Sequence, residues 1–411
     1  MNGTAGSSWY SLHVHHHDEE AEPELVLRAV RPAFEAVAPW AEAAWFGRHW
    51  LRGPHLRLNF RCRGTDWEER VRPTVTGIVT DYLRARPSAA RLDEGALAPV
   101  HARLAELEME TGPRHPWVPD NTVLERPYDH RLPVLESLRA SELLAGFLSD
   151  TNGQAFRAYE RVRAGGALSL LALDLMWTTT SVAAVPFTTG GEPIERGFLS
   201  LRSHADAFLS RTRDPVAVRA AFDDRFRRQE TVLCERLRSV EAALSDGATE
   251  GDGADRSDRS DRSEAVGDVV PFVTEWAAAV RHHQRIAHPL LASGEVSMGG
   301  AARAPRMPTR RTSEFHAVLR SDHGHEDFVR TDDWFASFRL MMNYLYLHLN
   351  RLGLKPVDRA LLCHLAALTV EAVHGVDAVG SFQRYVASVD PSPERPEWRR
   401  IGEAWAAGGA G

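Results

Sequence analysis

The stretch Arg48-His49-Trp50-Leu51-Arg52-Gly53-Pro54-His55-Leu56-Arg57-Leu58-Asn59-Phe60-Arg61-Cys62 decides the fold class. From His55 to Cys62 the residues alternate. Leu56, Leu58 and Phe60 share one face and His55, Arg57, Asn59 and Arg61 the other, which is the period of two of a strand with one buried side. Leu51-Arg52-Gly53-Pro54 is a turn signal, and Ala43 to His49 before it reads as a second strand. Trp9 to His16 alternates as well, with Tyr10, Leu12 and Val14 on one face and His13 and His15 on the other.

Working outward, helical spacing replaces this alternation. Leu25, Val26, Ala29, Val30, Ala33, Phe34 and Val37 line one face of a helix from Glu24 to Val37, which Pro32 is expected to kink or split. Beyond Arg70 the pattern is helical over long stretches, interrupted by proline clusters at Pro113–Pro119 and Pro127–Pro133. Helices are expected at Gly166 to Val185, Glu195 to Ser210, Val216 to Leu244, Phe272 to His288, Trp334 to Leu352 and Val357 to Val373. The expected class is α+β, a small N-terminal antiparallel sheet with a large, mostly helical body.

Composition narrows the function. The chain has 411 residues, enough to bury a large core without disulfides or metal. No apolar run approaches the roughly 20 residues of a membrane helix, so no membrane association is expected. The opening Met1-Asn2-Gly3-Thr4-Ala5-Gly6 has neither a basic nor an apolar region, which predicts no secretory signal. Cys62, Cys234 and Cys363 lie far apart, without zinc spacing, and fit a reducing cytoplasm. Of the net charge of −7, −5 lies between Ser245 and Asp268, in a Gly- and Asp-rich run with three Asp-Arg-Ser copies. That run has too little apolar surface to offset its ordering entropy and reads as a disordered surface loop. The rest is nearly neutral, so nucleic-acid binding is not expected.

The common cofactor motifs are absent: no HExxH, no Walker loop, no GxSxG and no GxGxxG opening a helix after a strand. His15-His16-His17 resembles a metal tract, but only His15 and His17 share a face of a strand, so the reading is a solvated strand end. His282-His283 with His288 lacks an acidic ligand at helical spacing. No cofactor and no metal are expected. Two candidates remain. The first is the Arg- and His-rich hairpin around Arg48. The second is the helix bearing Asn343 to Leu352, where Met341, Leu345, His348 and Leu352 form one stripe and turn His348 inward.

Together these stretches resemble the C-terminal elimination domain of class I lanthipeptide dehydratases, a family that also occurs as stand-alone thiopeptide-type bacteriocin biosynthesis proteins. The resemblance rests on Trp9-Tyr10-Ser11-Leu12, Trp45-Phe46-Gly47-Arg48-His49, His55-Leu56-Arg57-Leu58-Asn59-Phe60 and His348-Leu349-Asn350-Arg351-Leu352. Phe198 to Ala205, with His204, is similar to stand-alone members. The resemblance covers roughly residues 9 to 375. It implies one composite unit over 1–375 with the disordered insertion at 245–268, and a C-terminal extension over 376–411.

The resemblance implies a cytoplasmic enzyme, a cofactor-independent lyase acting on a leader-bearing precursor peptide. A separate glutamylating dehydratase subunit is the implied partner. In the eliminating branch, glutamate leaves a glutamylated Ser or Thr to give a dehydroamino acid. A base takes the α-proton, and the departing carboxylate needs a positive partner. His348 and Arg48 match the family's histidine and arginine, with His55, Arg57 and His204 as substrate-binding candidates. Eliminating members carry a Glu-x-x-Arg-Tyr-Gly-Gly run. Here Leu124-Glu125-Arg126-Pro127-Tyr128-Asp129-His130-Arg131 aligns Glu125 and Tyr128 with it but lacks the Gly-Gly. The sister branch of thiopeptide pyridine synthases joins two dehydroalanines by an aza-[4+2] cyclisation and expels water and the leader, a reaction that rests on positioning and a proton donor. A third reading is a non-catalytic leader-binding partner, with Trp9–His16 as an edge strand open to β-addition.

Overall fold

The computed structural model describes residues 6–184, 197–249, 269–298, 313–321 and 332–388. In chain order the elements are β1 (Ser8–His15), α1 (Glu22–Leu25), α2 (Arg31–Val37), β2 (Ala43–His49), β3 (His55–Cys62), α3 (Gly64–Asp66), α4 (Arg72–Ala85), α5 (Glu94–Glu108), β4 (Thr122–Arg126), α6 (Leu132–Leu135), α7 (Leu138–Asp150), α8 (Asn152–Arg163) and α9 (Leu168–Ala184). Then come α10 (Leu199–Leu209), α11 (Pro215–Thr249), α12 (Val273–Ala292), α13 (Glu314–Ser321), α14 (Asp333–Arg351), α15 (Pro356–His374) and α16 (Ala378–Ser388). The class is α+β as expected. No helix among the described residues is long and apolar enough to cross a membrane.

Two compact units emerge. The first holds the described residues of Met1–Gly166, Val296–Arg306 and Asn350–Gly353. The second holds those of Ala167–Glu295, Met307–Leu349 and Leu354–Gly411.

The first unit is built on an antiparallel sheet of order β2-β3-β1-β4. With helices between β1 and β2 and between β3 and β4, this is a split β-α-β, or ferredoxin-like, arrangement. β4 has no strand signature in its sequence, Thr122-Val123-Leu124-Glu125-Arg126. Because β1 pairs with β3 on one side and β4 on the other, it is a central strand. That corrects the expectation of an open edge at Trp9–His16; the edges are β2 and β4.

One face of the sheet is the core. Leu12, Val14, Phe46, Leu56, Leu58 and Phe60 are buried there. Phe34 packs edge-on against Phe46, Phe60 and Phe156. Pro32 splits its helix by a specific device. A π-helical turn, Val26–Val30, precedes the proline, which then sits in the first turn of α2. Proline has no N–H to donate, so the wider turn absorbs the broken ladder. The same pairing of a π turn (Trp67–Val71) with Pro73 opens α4.

In the second unit α9 is buried on nearly every side. Its one acidic residue, Asp174, is fully buried and receives a bidentate pair from Arg236, Nε and NH2 each at 2.7 Å. Trp177 Nε1 donates to the Ala366 carbonyl and Trp276 Nε1 to the Thr179 hydroxyl. α11 continues through Thr249, so Ser245–Thr249 is helical, which corrects the start of the anticipated loop. The remainder of that loop, 250–268, lies outside the described residues. So do 389–411 of the anticipated C-terminal extension, whose described part contains α16.

Candidate functional site

The face of the sheet opposite the core carries the polar residues. The register sets His15 opposite His55, His13 opposite Arg57 and Ser11 opposite Asn59. On the other side of β3, His49 lies opposite His55, Gly47 opposite Arg57 and Trp45 opposite Asn59. Four imidazoles therefore meet on one surface. The His55 ring lies 4.6 Å from His13, 4.5 Å from His15 and 5.4 Å from His49.

This face is not solvated. His15, His16 and His17 are all buried, which corrects the expectation of a solvated strand end. His17 packs edge-on against Trp117, and its backbone N–H donates to Asp120. The turn before β3 must pass close by. Gly53 has φ of +101°, and a Cβ there would lie 3.1 Å from His17 Nε2.

Burial decides the charge state. Desolvation is the largest influence on His13, His15 and His55, and all three are held well below an ordinary histidine, His13 to about 2 and His15 to about 4. The neighbouring Arg57 lowers His13 further. All three are neutral near pH 7. His49 accepts at Nδ1 from the Leu51 N–H and from Arg57, so its proton sits on Nε2, 3.3 Å from Glu110. Arg57 also binds Asp129 at 3.0 Å.

At the far end of this face Tyr128 stacks on Trp9 with ring centroids 5.0 Å apart and meets Trp45 and His130 edge-on. Burial raises its hydroxyl to about 12. The structure thus brings His55, Arg57 and Tyr128 onto one face.

It does not bring Arg48 or Glu125 there. Arg48 lies opposite Leu56 in the register, hence on the core face. Its Nε donates to Glu22 at 2.9 Å, with Glu19 at 3.8 Å. Tyr159 donates its hydroxyl to the Arg351 carbonyl at 2.6 Å, with Glu22 also within reach of that oxygen at 3.2 Å. Arg351 is 2% exposed and donates to the Leu148 and Thr151 carbonyls, the Thr151 hydroxyl and Asn152. Two arginines of the motifs quoted above thus share one buried polar anchor, Arg48–Glu22–Tyr159–Arg351. Glu125, opposite Leu12, accepts from Trp67 Nε1 and from Arg72.

The other two candidates lie in the second unit. His348 is 1% exposed and faces the Trp276 ring at 4.6 Å, which agrees with the inward stripe read from α14. His204 is exposed and meets the Tyr346 hydroxyl at 2.7 Å through Nδ1. Tyr346 also touches Cys363 and lies under Arg359. Sequence reasoning missed His13, Glu110 and Asp129, while His49 lies within the Arg- and His-rich hairpin named as a candidate. The available signal was the pair His13 and His15 on one strand face with His55 on a like face of a neighbouring strand.

Comparison with known proteins places the chain first in a class, the proteins of ribosomally synthesised peptide natural-product biosynthesis. A family model described as "Lantibiotic biosynthesis dehydratase C-term" matches residues 9–370, and the chain belongs to that family. Among solved structures it is similar to TbtD, a pyridine synthase from thiomuracin biosynthesis, at 36% identity and a TM-score of 0.67, covering 90% of this chain and 99% of that one. TsrL shares the fold at 20% identity and a TM-score of 0.66, covering 92% and 98%. The tRNA-dependent lantibiotic dehydratase MibB from Microbispora sp. 107891 aligns at 14% identity and a TM-score of 0.47, over 91% of this chain and 29% of that one. No curated protein sequence matches the chain.

Proposed function

We propose that this protein is a pyridine synthase of thiopeptide-type peptide maturation. Its substrate is a leader-bearing precursor peptide with two dehydroalanines. The observation that carries this reading is the end-to-end similarity to a pyridine synthase at 36% identity. Two observations favour it over glutamate elimination. The Gly-Gly of the eliminating branch is missing after Tyr128. Arg48, the arginine expected to receive a departing glutamate, is already paired with Glu22.

In the proposed reaction one dehydroalanine, with the imidic-acid tautomer of the preceding amide, supplies a four-atom azadiene. The second supplies the two-carbon partner. Two C–C bonds close a six-membered ring containing the amide nitrogen. Loss of water from the former carbonyl carbon and of the leader as its amide makes the ring aromatic. The protein's tasks are to hold the two alkenes together and to move protons to the departing oxygen and nitrogen. We assign proton transfer to His348. His55, Arg57, Tyr128 and His204 are assigned to peptide binding, and Arg48 and Glu125 to positioning. The two units are assigned to one functional entity, supported by the family match across both. A separate glutamylating and eliminating system is the expected source of the dehydroalanines, in the cytoplasm.

The test is incubation of the purified protein with a dehydrated linear precursor. The expected products are a cyclised core, the free leader amide and water, read by mass. An unchanged dehydrated peptide, together with glutamate loss from a glutamylated one, would return the assignment to elimination.

A further inference from the structure

We propose that His13, His15 and His55 form a binding site for a divalent late first-row transition metal of the zinc type. The inference does not depend on which reaction the protein catalyses, and in it His55, assigned above to peptide binding, meets the peptide only through the ion.

The site follows from strand geometry. Residues two apart on β1 share a face, which aligns His13 with His15. The register of β3 then sets His55 directly opposite His15. One ligand nitrogen from each of the three lies within 4.8 Å of the others. A tetrahedral zinc with Zn–N near 2.0–2.1 Å needs its ligands about 3.4 Å apart, so the half-buried His13, now stacked on His55, must turn its ring to aim a nitrogen at the ion while His55 keeps its bond to Gly53.

The hydrogen bonding of these rings points to a ligand. His55 Nδ1 lies 2.9 Å from the Gly53 carbonyl. A carbonyl only accepts, so Nδ1 carries the proton and Nε2 presents its lone pair. A ligating histidine is commonly oriented by just such a bond from its other nitrogen to a backbone carbonyl. His55 Nε2 and His15 Nδ1 are both buried without a hydrogen-bond partner among the described residues. The two side chains are 5% and 2% exposed. Buried imidazole nitrogens left unpaired are costly, and a shared cation satisfies them together.

The surroundings set the type of ion. Three neutral imidazoles with no carboxylate in the set suit zinc, copper or nickel and disfavour magnesium or calcium. His49 is not a fourth ligand, because both of its nitrogens are engaged by Leu51, Arg57 and Glu110. The nearby positive charge of Arg57 is balanced by Asp129 at 3.0 Å. The metal would clip β1 to β3 and keep a fourth position for water or a substrate atom.

The experiment uses the full chain, purified without a histidine tag and stripped with a chelator. Zinc is added in a calorimetric titration, and cobalt(II) in parallel for its visible absorption. The expected result is one equivalent bound per chain, with the intense absorption of tetrahedral cobalt and a rise in melting temperature on adding zinc. His13→Ala and His55→Gln each abolish stoichiometric binding while far-ultraviolet circular dichroism shows the fold retained, and His282→Ala leaves binding intact. Absence of stoichiometric binding in the wild type would overturn the site, as would binding that survives in the folded double variant His13→Ala/His55→Gln.

Discussion

Arg48 and Arg57 stand on opposite faces of one sheet. Arg48 lies across from Leu56 and pairs with Glu22 against the core; Arg57 lies across from Gly47 and His13 and reaches Asp129 and His49. The two arginines, both read from the sequence as candidates for one anionic substrate group, therefore have different environments and different expected roles.

Arg48 is expected to matter most for stability. Arg48→Ala leaves Glu22 buried beside Tyr159 without its cation, and breaking a buried pair on one side costs about 3–5 kcal/mol, with the low end expected here. Urea unfolding measures it. The double variant Arg48→Met/Glu22→Gln should recover much of the loss, since it leaves no lone buried charge. A loss below about 1 kcal/mol for Arg48→Ala would mean the pair is effectively solvated.

Gly353 should resist replacement. Its φ is +92°, and a Cβ there would stand 3.2 Å from Arg48 NH1. Gly353→Ala combines left-handed strain with pressure on the Arg48–Glu22 pair, for an expected loss of about 1–2 kcal/mol. Thermal unfolding tests this against Gly77→Ala in α4, where a Cβ meets nothing within 4 Å; that change should be neutral or stabilising.

His348 separates chemistry from folding. As the assigned proton carrier, its replacement by phenylalanine should slow cyclisation by about 10²–10⁴-fold. The aromatic replacement keeps a ring against Trp276, so the packing is retained, and melting measured in parallel separates a loss of polar contacts from a loss of chemistry. Equal cyclisation rates for wild type and His348→Phe would remove the histidine from the mechanism.

The thiols carry a pH prediction. Burial raises Cys62 and Cys363 from 9.0 to about 11. At pH 8 the thiolate fraction falls from about one in ten to about one in a thousand, roughly a hundredfold drop in intrinsic reactivity. The sign follows from linkage. A folded value above the unfolded one leaves stability intact below about 9 and erodes it as pH climbs toward 11. Thiol labelling of the folded protein at pH 8 should leave both unmodified, and denaturant should release them. Rapid native labelling of either would contradict the burial.

The elements with a clear period were legible in advance. β2 and β3 match their expected bounds residue for residue, and the inward turn of His348 follows from the stripe on α14. β4 was not legible, because Thr122–Arg126 is short and its strand character comes from pairing with β1 rather than from its own alternation. The burial of His15, His16 and His17 was hidden for a related reason: Trp117 and Asp120, which cover His17, lie about a hundred residues away along the chain.

By itself the sequence determined the α+β class, the faces of each strand taken singly and the family, because those rest on local periodicity and on motifs in order. Only the tertiary structure decided which faces of different strands coincide. The hairpin from His49 to His55 sets the parity between β2 and β3, and a slip of one residue would move Arg48 beside Arg57 and turn His49 away from His55. That parity, with the pairing of β1 to β3, gathers four histidines on one surface and ties Arg48 to Glu22. Strand register is a long-range property, fixed by packing of the whole sheet against its helices, and no single strand encodes it.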